Sequence, residues 1–133
     1  MPTTFAPTTL AEMDRRLQDR RQSSTHLAAA LQQNAVDALD DIDVSDLLDR
    51  DNPDPGSNHA ERVRALRLAQ LASATATAAD HALHRLAAGT YGLCDSCGCR
   101  IPLARLRAVP ETPLCVSCKV REEDPLAPPA MRR

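Results

Sequence analysis

The residues able to do chemistry concentrate between Gly89 and Lys119, GTYGLCDSCGCRIPLARLRAVPETPLCVSCK, a stretch that holds all five cysteines of the chain. Cys94/Cys97 and Cys115/Cys118 form two CxxC pairs, and seventeen residues separate them. Thiolates at that spacing converge on a single tetrahedral zinc, and Gly98 stands where a knuckle turn takes a left-handed residue. Four thiolates close the coordination sphere and leave no position for water or substrate. The expected cofactor is therefore one structural Zn2+ that contributes to folding and does no catalysis. Cys99 follows Cys97 by two residues, too close to replace it without rebuilding the knuckle, and reads as a free thiol near the metal.

Other chemistries fit less well. Structural disulfides need an oxidising compartment, but the start MPTTFAPTTLAEMDRR has no basic stretch followed by an apolar run. A redox CxxC stands alone after a strand in a βαβ setting, which this helix-rich sequence does not offer. His81 and His84 form a helical HxxH pair with no third ligand spaced to join them, so they read with His26 and His59 as solvated or seam-edge histidines. No Ser/His/Asp or Cys/His arrangement and no glycine-rich phosphate loop is present, and a non-enzyme is expected. Carboxylates supply the second concentration of chemistry. Asp37, Asp40, Asp41, Asp43, Asp46, Asp49, Asp51 and Asp54 fall in one run offset by Arg50 alone. They form either a solvated, mutually repelling face or a group of oxygen donors suited to magnesium or a basic channel.

The elements that must position these groups are helical. Residues 1–9 read as a flexible tail, with Thr9 and Glu12 spaced as a capping box. From Thr8 to Asn52 there is neither proline nor glycine, and Leu10, Met13, Leu17, Ser24, Leu27, Leu31, Ala35, Ala38 and Ile42 recur in a near three-four alternation, weakest at Arg20–Ser24, where poor packing or exposure is expected. Pro53, Pro55 and Gly56 then make a turn. Ser57 to Ala88 is a second uninterrupted helix, with one stripe through Val63, Leu66, Ala69 or Gln70, Ala74, Thr77 and His81, and Leu68, Leu71, Ala78, Leu83 and Leu86 beside it, stopped by Gly89. Its alanine run, Ala72 to Ala82, suits close helix approach. Two such helices around one turn fold back antiparallel. At 1.5 Å per residue, thirty residues extend about 45 Å. The expected organisation is all-α for the most part: an antiparallel coiled-coil hairpin over 10–88 with its tip at 51–58, a four-cysteine zinc-finger module with a short C-terminal helix over 89–124, and a flexible tail over 125–133.

Composition agrees. Phe5 and Tyr91 are the only aromatics, and the 43% hydrophobic content is mostly alanine and leucine, which suits thin helix-on-helix packing. A net charge of -2 and a pI near 6.0 argue against a general polyanion binder, so sequence-specific DNA binding is not expected. Arg100, Arg105 and Arg107 leave a nucleic-acid-binding ribbon as a further reading, without the interleaved aromatics it would need. No apolar run approaches a membrane span, and a cytoplasmic protein is expected.

The order of GTYG, CxxCG, IP, RL, AxP and CxxC after a long coiled coil resembles the DksA/TraR family of bacterial RNA polymerase-binding zinc-finger transcription factors. That resemblance implies a regulator that binds RNA polymerase directly and inserts its acidic coiled-coil tip into the secondary channel to modulate initiation, with a C-terminal helix docking at the rim. In one branch of the family the tip carries DxxDxA. A gapless count from Cys94 places that motif on Asp51, Asp54 and Gly56, so both carboxylates are present and glycine replaces the alanine. The same count puts Ala78 and Val109 where alarmone-responsive members have basic residues and leaves Lys119 as the residual contact, so cooperation with guanosine tetraphosphate is expected to be weak or absent. A monomer is expected. The alternative is a zinc-stapled coiled-coil adaptor that binds another protein or itself.

Overall fold

The computed structural model describes residues 5–40 and 55–126. Asp51 and Asp54 lie outside the described residues, as do the aspartates from 41 to 49. Among the described residues the chain forms four helices: α1 (Pro7–Asp40), α2 (Pro55–Ala88), α3 (Leu103–Ala108) and α4 (Val116–Glu123).

Both long helices begin on a proline, whose missing N–H would have no intrahelical acceptor in the first turn and whose fixed φ is already helical. This corrects two expectations. Helix α1 starts at Pro7, with Leu10 N–H donating to Ala6 O at 3.0 Å, so Pro7–Thr9 are helical and Thr9 is not the cap. Gly56 is the second residue of α2, so it and Pro55 belong to the return helix, where a turn was expected. The other end of α2 closes as the sequence indicates. Gly89 takes φ +78°, its N–H reaches Leu86 O at 3.2 Å, and Thr90 N–H reaches Arg85 O at 2.9 Å, which satisfies the last carbonyls in a Schellman motif.

Residues divide into two compact units, 1–21 with 77–133 and 22–76. In the first, the start of α1 lies against the end of α2, so the two run antiparallel. Met13 and Leu17 from α1 meet Ala79 and Ala82 from α2, and Tyr91, Ile101 and Leu106 complete a core that also takes in Cys94 and Cys118. An i,i+4 pair of long side chains faces an i,i+3 pair of alanines, so the helices approach closely. Arg21 pairs with Asp80 at 2.9 Å and Arg20 with Glu111 at 3.1 Å, so the two arginines at the weak point of the stripe are anchored.

Among the described residues of the second unit the buried positions are Ser24, Ala28 and Ala35 of α1 and Ala69 and Ala72 of α2, all small. Leu27, Val36, Leu66, Leu68 and Leu71 are largely exposed. The seam thus runs through Ala28 where Leu27 was expected, and through Ala72, Ala79 and Ala82 where Ala74, Thr77 and His81 were expected. Alanine occurs on every side of α2, so hydrophobicity marks no face there, and close approach of the backbones selects the seam.

Candidate metal centre

The first knuckle is a tight reversal. Cys94 N–H donates to Cys99 O at 2.8 Å, Gly98 N–H returns to Cys94 O at 2.9 Å, and Leu93 and Arg100 form an isolated antiparallel bridge. Gly98 occupies φ +71°, the left-handed region that an L side chain resists. The second knuckle is the start of α4. Cys115 is its N-cap residue and Cys118 lies in its first turn, with Lys119 N–H closing on Cys115 O at 2.9 Å. Asp95 N–H donates to Pro113 O at 2.9 Å and ties the two knuckles together.

The sulfurs of Cys94, Cys97, Cys115 and Cys118 all lie within 4.8 Å of one another, and Cys97 Sγ is 3.8 Å from Cys115 Sγ. A tetrahedron with zinc–sulfur bonds of about 2.3 Å has edges of about 3.8 Å, so the four donors fit one zinc ion. Cys94 and Cys118 are buried, Cys97 and Cys115 half-buried, and Cys99 is exposed and outside the group. Burial pushes the Cys94 thiol up, but backbone groups of Cys115, Cys97 and Ser96 that stabilise its thiolate outweigh it and bring the pKa down to about 6. Burial also pushes the Cys115 thiol up, and its hydrogen bonds to the neighbouring cysteine side chains hold the proton, so it reaches about 12. The four sulfurs therefore share their protons unequally, Cys94 being the easier to deprotonate and Cys115 the harder, and a metal ion must displace those that remain.

Several residues that support the centre carry no local signal. Arg85, buried near the end of α2, donates to Thr90 O and Leu93 O, and its Nε lies 3.3 Å from Asp95 Oδ1, clasping the helix to the first knuckle. Tyr91 OH donates to Pro110 O at 2.9 Å. Arg121 Nη2 donates to Cys118 Sγ at 3.2 Å, which offsets negative charge on a ligand sulfur. Arg105 reaches Leu114 O at 3.2 Å and Thr112 Oγ1 at 3.4 Å within the module, and Arg107 lies 3.8 Å from Glu12 of α1, so two of the three arginines that suggested a nucleic-acid surface have partners within the chain. Phe5 packs against the same core. The pairs Tyr91 with Pro110 and Arg107 with Glu12 join distant segments, whereas Arg85, Arg105 and Arg121 reach groups within ten residues of themselves; irregular backbone, which no helical or strand period describes, sets the contacts of Arg85 and Arg105.

The positions singled out by the gapless count also come together. Ala78, Val109 and Lys119 line one open hollow of about 630 Å³ in the first unit. Lys119 Nζ is 2.8 Å from Glu122 and 3.6 Å from Glu123, two exposed carboxylates that raise its pKa through a hydrogen bond and charge. His81 and His84 are exposed, and His84 Nδ1 lies 2.8 Å from Asp80 O.

The donor set, two knuckles closed around four sulfurs at the foot of a helical pair, defines the class: a C4 zinc finger on a coiled coil. Residues 89–124 match the prokaryotic DksA/TraR C4-type zinc finger. The described fold is similar to that of the transcription factor DksA2 from Pseudomonas aeruginosa, with a TM-score of 0.70 and 28% identity over 90% of this chain and 86% of that one. An uncharacterized protein of Aquifex aeolicus (strain VF5) is 47% identical over 45 residues, 34% of this chain, and the match spans 31% of that protein's length. The chain carries a DksA/TraR zinc finger on a DksA fold, with one structural zinc as its cofactor. Among the described residues, no helix is long and apolar enough to cross a membrane.

Proposed function

We propose that this chain is a non-enzymatic, cytoplasmic regulator that binds RNA polymerase directly as a monomer and carries its acidic connection between α1 and α2 into the secondary channel. The observation that supports this reading best is the likeness to the transcription factor DksA2 over most of both chains, with the four-cysteine centre in the same chain. Asp51 and Asp54 act by charge near the catalytic magnesium or the mobile loop beside it, and Gly56 makes the tip unlike a DxxDxA tip. The zinc module and α4 hold the polymerase rim. Ala78 and Val109 offer no donors, and Lys119 is already engaged by two carboxylates, so guanosine tetraphosphate has little to bind.

The test is binding of the zinc-loaded chain to core RNA polymerase, followed by in vitro transcription with the double variant Asp51→Asn/Asp54→Asn. Binding retained with the effect on initiation lost supports the reading. No binding to core polymerase removes it, and an unchanged effect removes the tip from the mechanism. The exposed Leu27, Val36, Leu66, Leu68 and Leu71 favour a second reading, an adaptor that binds another protein or itself. Concentration-dependent dimerisation without polymerase binding would establish it.

A further inference from the structure

Arg121 reaches a zinc-ligand atom itself. Cys118 lies in the first turn of α4 and Arg121 follows it by three residues, which puts the two side chains on one face of that helix. Arg121 Nη2 thereby donates to Cys118 Sγ at 3.2 Å, although the residue as a whole is exposed. Lys119, Arg105 and Arg85 direct charge elsewhere, to Glu122 and Glu123, to Leu114 O and to Asp95. The ligand sulfurs also differ in exposure. Cys94 and Cys118 are buried, whereas Cys97 and Cys115 are half-buried, with their sulfurs 3.8 Å apart. Four thiolates around one Zn2+ carry more negative charge than the ion cancels, and the surplus on sulfur is what a proton, a competing metal ion or an electrophile meets. A guanidinium hydrogen-bonded to one sulfur offsets that charge at one position.

We propose that Arg121 is a positioning residue that retains the zinc: it lowers the reactivity of the Cys118 thiolate and keeps that sulfur on the ion, so the centre opens from its half-buried side, at Cys97 and Cys115. The guanidinium keeps its charge over the whole working range of pH, so the effect does not depend on titration of Arg121. The inference concerns the metal centre alone and does not rest on the polymerase reading.

The test uses the full zinc-loaded chain with Arg121→Gln, which removes the charge, and Arg121→Lys, which keeps it. Zinc transfer to the chelating dye pyridylazoresorcinol is expected to be about tenfold faster from Arg121→Gln, as for the loss of an outer contact to a metal ligand, with Arg121→Lys closer to wild type. The gap should narrow as salt is raised, because the side chain is exposed. Alkylation by limiting N-ethylmaleimide, read cysteine by cysteine in peptide mass spectra, separates charge from fold, with the exposed Cys99 calibrating the reagent. In wild type Cys97 and Cys115 should react before Cys94 and Cys118, and in Arg121→Gln Cys118 should gain rate relative to Cys94. Circular dichroism and zinc content establish folding. If Arg121→Gln holds no zinc, Arg121→Lys decides: slow transfer supports the role of the charge, and failure to load overturns it. Equal transfer from wild type and Arg121→Gln, no recovery by Arg121→Lys, or a gain in alkylation spread evenly over the ligand cysteines would also overturn the proposal.

Discussion

The ring of Phe5 occupies the space over Gly92: a Cβ at residue 92 would overlap the edge of that ring and come within 3.2 Å of Cζ. Gly92 also holds φ +87° and gives its carbonyl to Ile101 N–H at 2.7 Å. The segment before α1 is thereby seated on the loop that leads into the first knuckle, and both geometry and space require glycine there. Gly92→Ala is expected to destabilise the zinc-loaded protein by about 1–2 kcal/mol for the left-handed backbone alone, with a further loss from the displaced ring. Adding Phe5→Ala should recover only that further loss, which a double-mutant cycle in urea measures; full additivity would mean that the ring and the glycine do not meet.

The thiols predict how zinc enters. The Cys94 thiol is pulled down and the Cys115 thiol pushed up, so the sulfurs together hold some protons and lack others before the metal arrives. Zinc binding at pH 8 should therefore release at least one proton but fewer than the four sulfurs could supply. Calorimetry in buffers of different ionisation enthalpy counts them. Release of all four would show that no sulfur of the set is a thiolate before zinc binds. Affinity should fall as the pH is lowered, since protons compete for every sulfur.

Cys99 is set apart from its neighbours by exposure and by its absence from the sulfur cluster. Cys99→Ser should keep one zinc per chain and the helical content. Cys115→Ser should lose the metal and, with it, the ordering of the module, because metal affinity is folding energy in such sites. Zinc retained by Cys115→Ser and lost by Cys99→Ser would reverse the ligand assignment.

Tyr91 is the one tyrosine of the chain, so its ionisation reads the module without interference. Burial pushes its pKa up to about 12, with nearby Arg85 pulling it down and Glu111 pushing it up. A raised pKa means that the folded state holds the proton more tightly than the unfolded one. The stability this contributes is therefore present below the unfolded value of 10.0 and is lost as the pH rises through the folded value. Absorbance titration of the zinc-loaded protein should show no phenolate near pH 10, and unfolding midpoints should fall between pH 10 and 12. A midpoint at the ordinary tyrosine value would place the ring in water.

Core truncation separates true burial from hydrophobic appearance. Met13 and Leu17 are fully buried, so alanine at either should cost about 2–5 kcal/mol in chemical unfolding. Leu27 looks equally apolar in the sequence but is 54% exposed, and Leu27→Ala should lie within about 0.5 kcal/mol of wild type. A loss at Leu27 as large as at Leu17 would return the seam to the leucine stripe.

What the sequence determined by itself are the features whose physics is local or chemically singular. Paired cysteines at knuckle spacing have few other uses, Gly98 and Gly89 take backbone angles that other residues resist, and spans without glycine or proline whose apolar residues recur at helical spacing make up most of α1 and α2. What only the tertiary structure decided are choices between equivalent options and pairings across distance. In an alanine-rich helix every face is apolar enough, so the seam through Ala72, Ala79 and Ala82 follows from how closely two backbones can approach. Arg20 and Glu111 stand 91 residues apart and Tyr91 and Pro110 stand 19 apart, so no periodicity relates them, and their contacts exist because the chain has already folded.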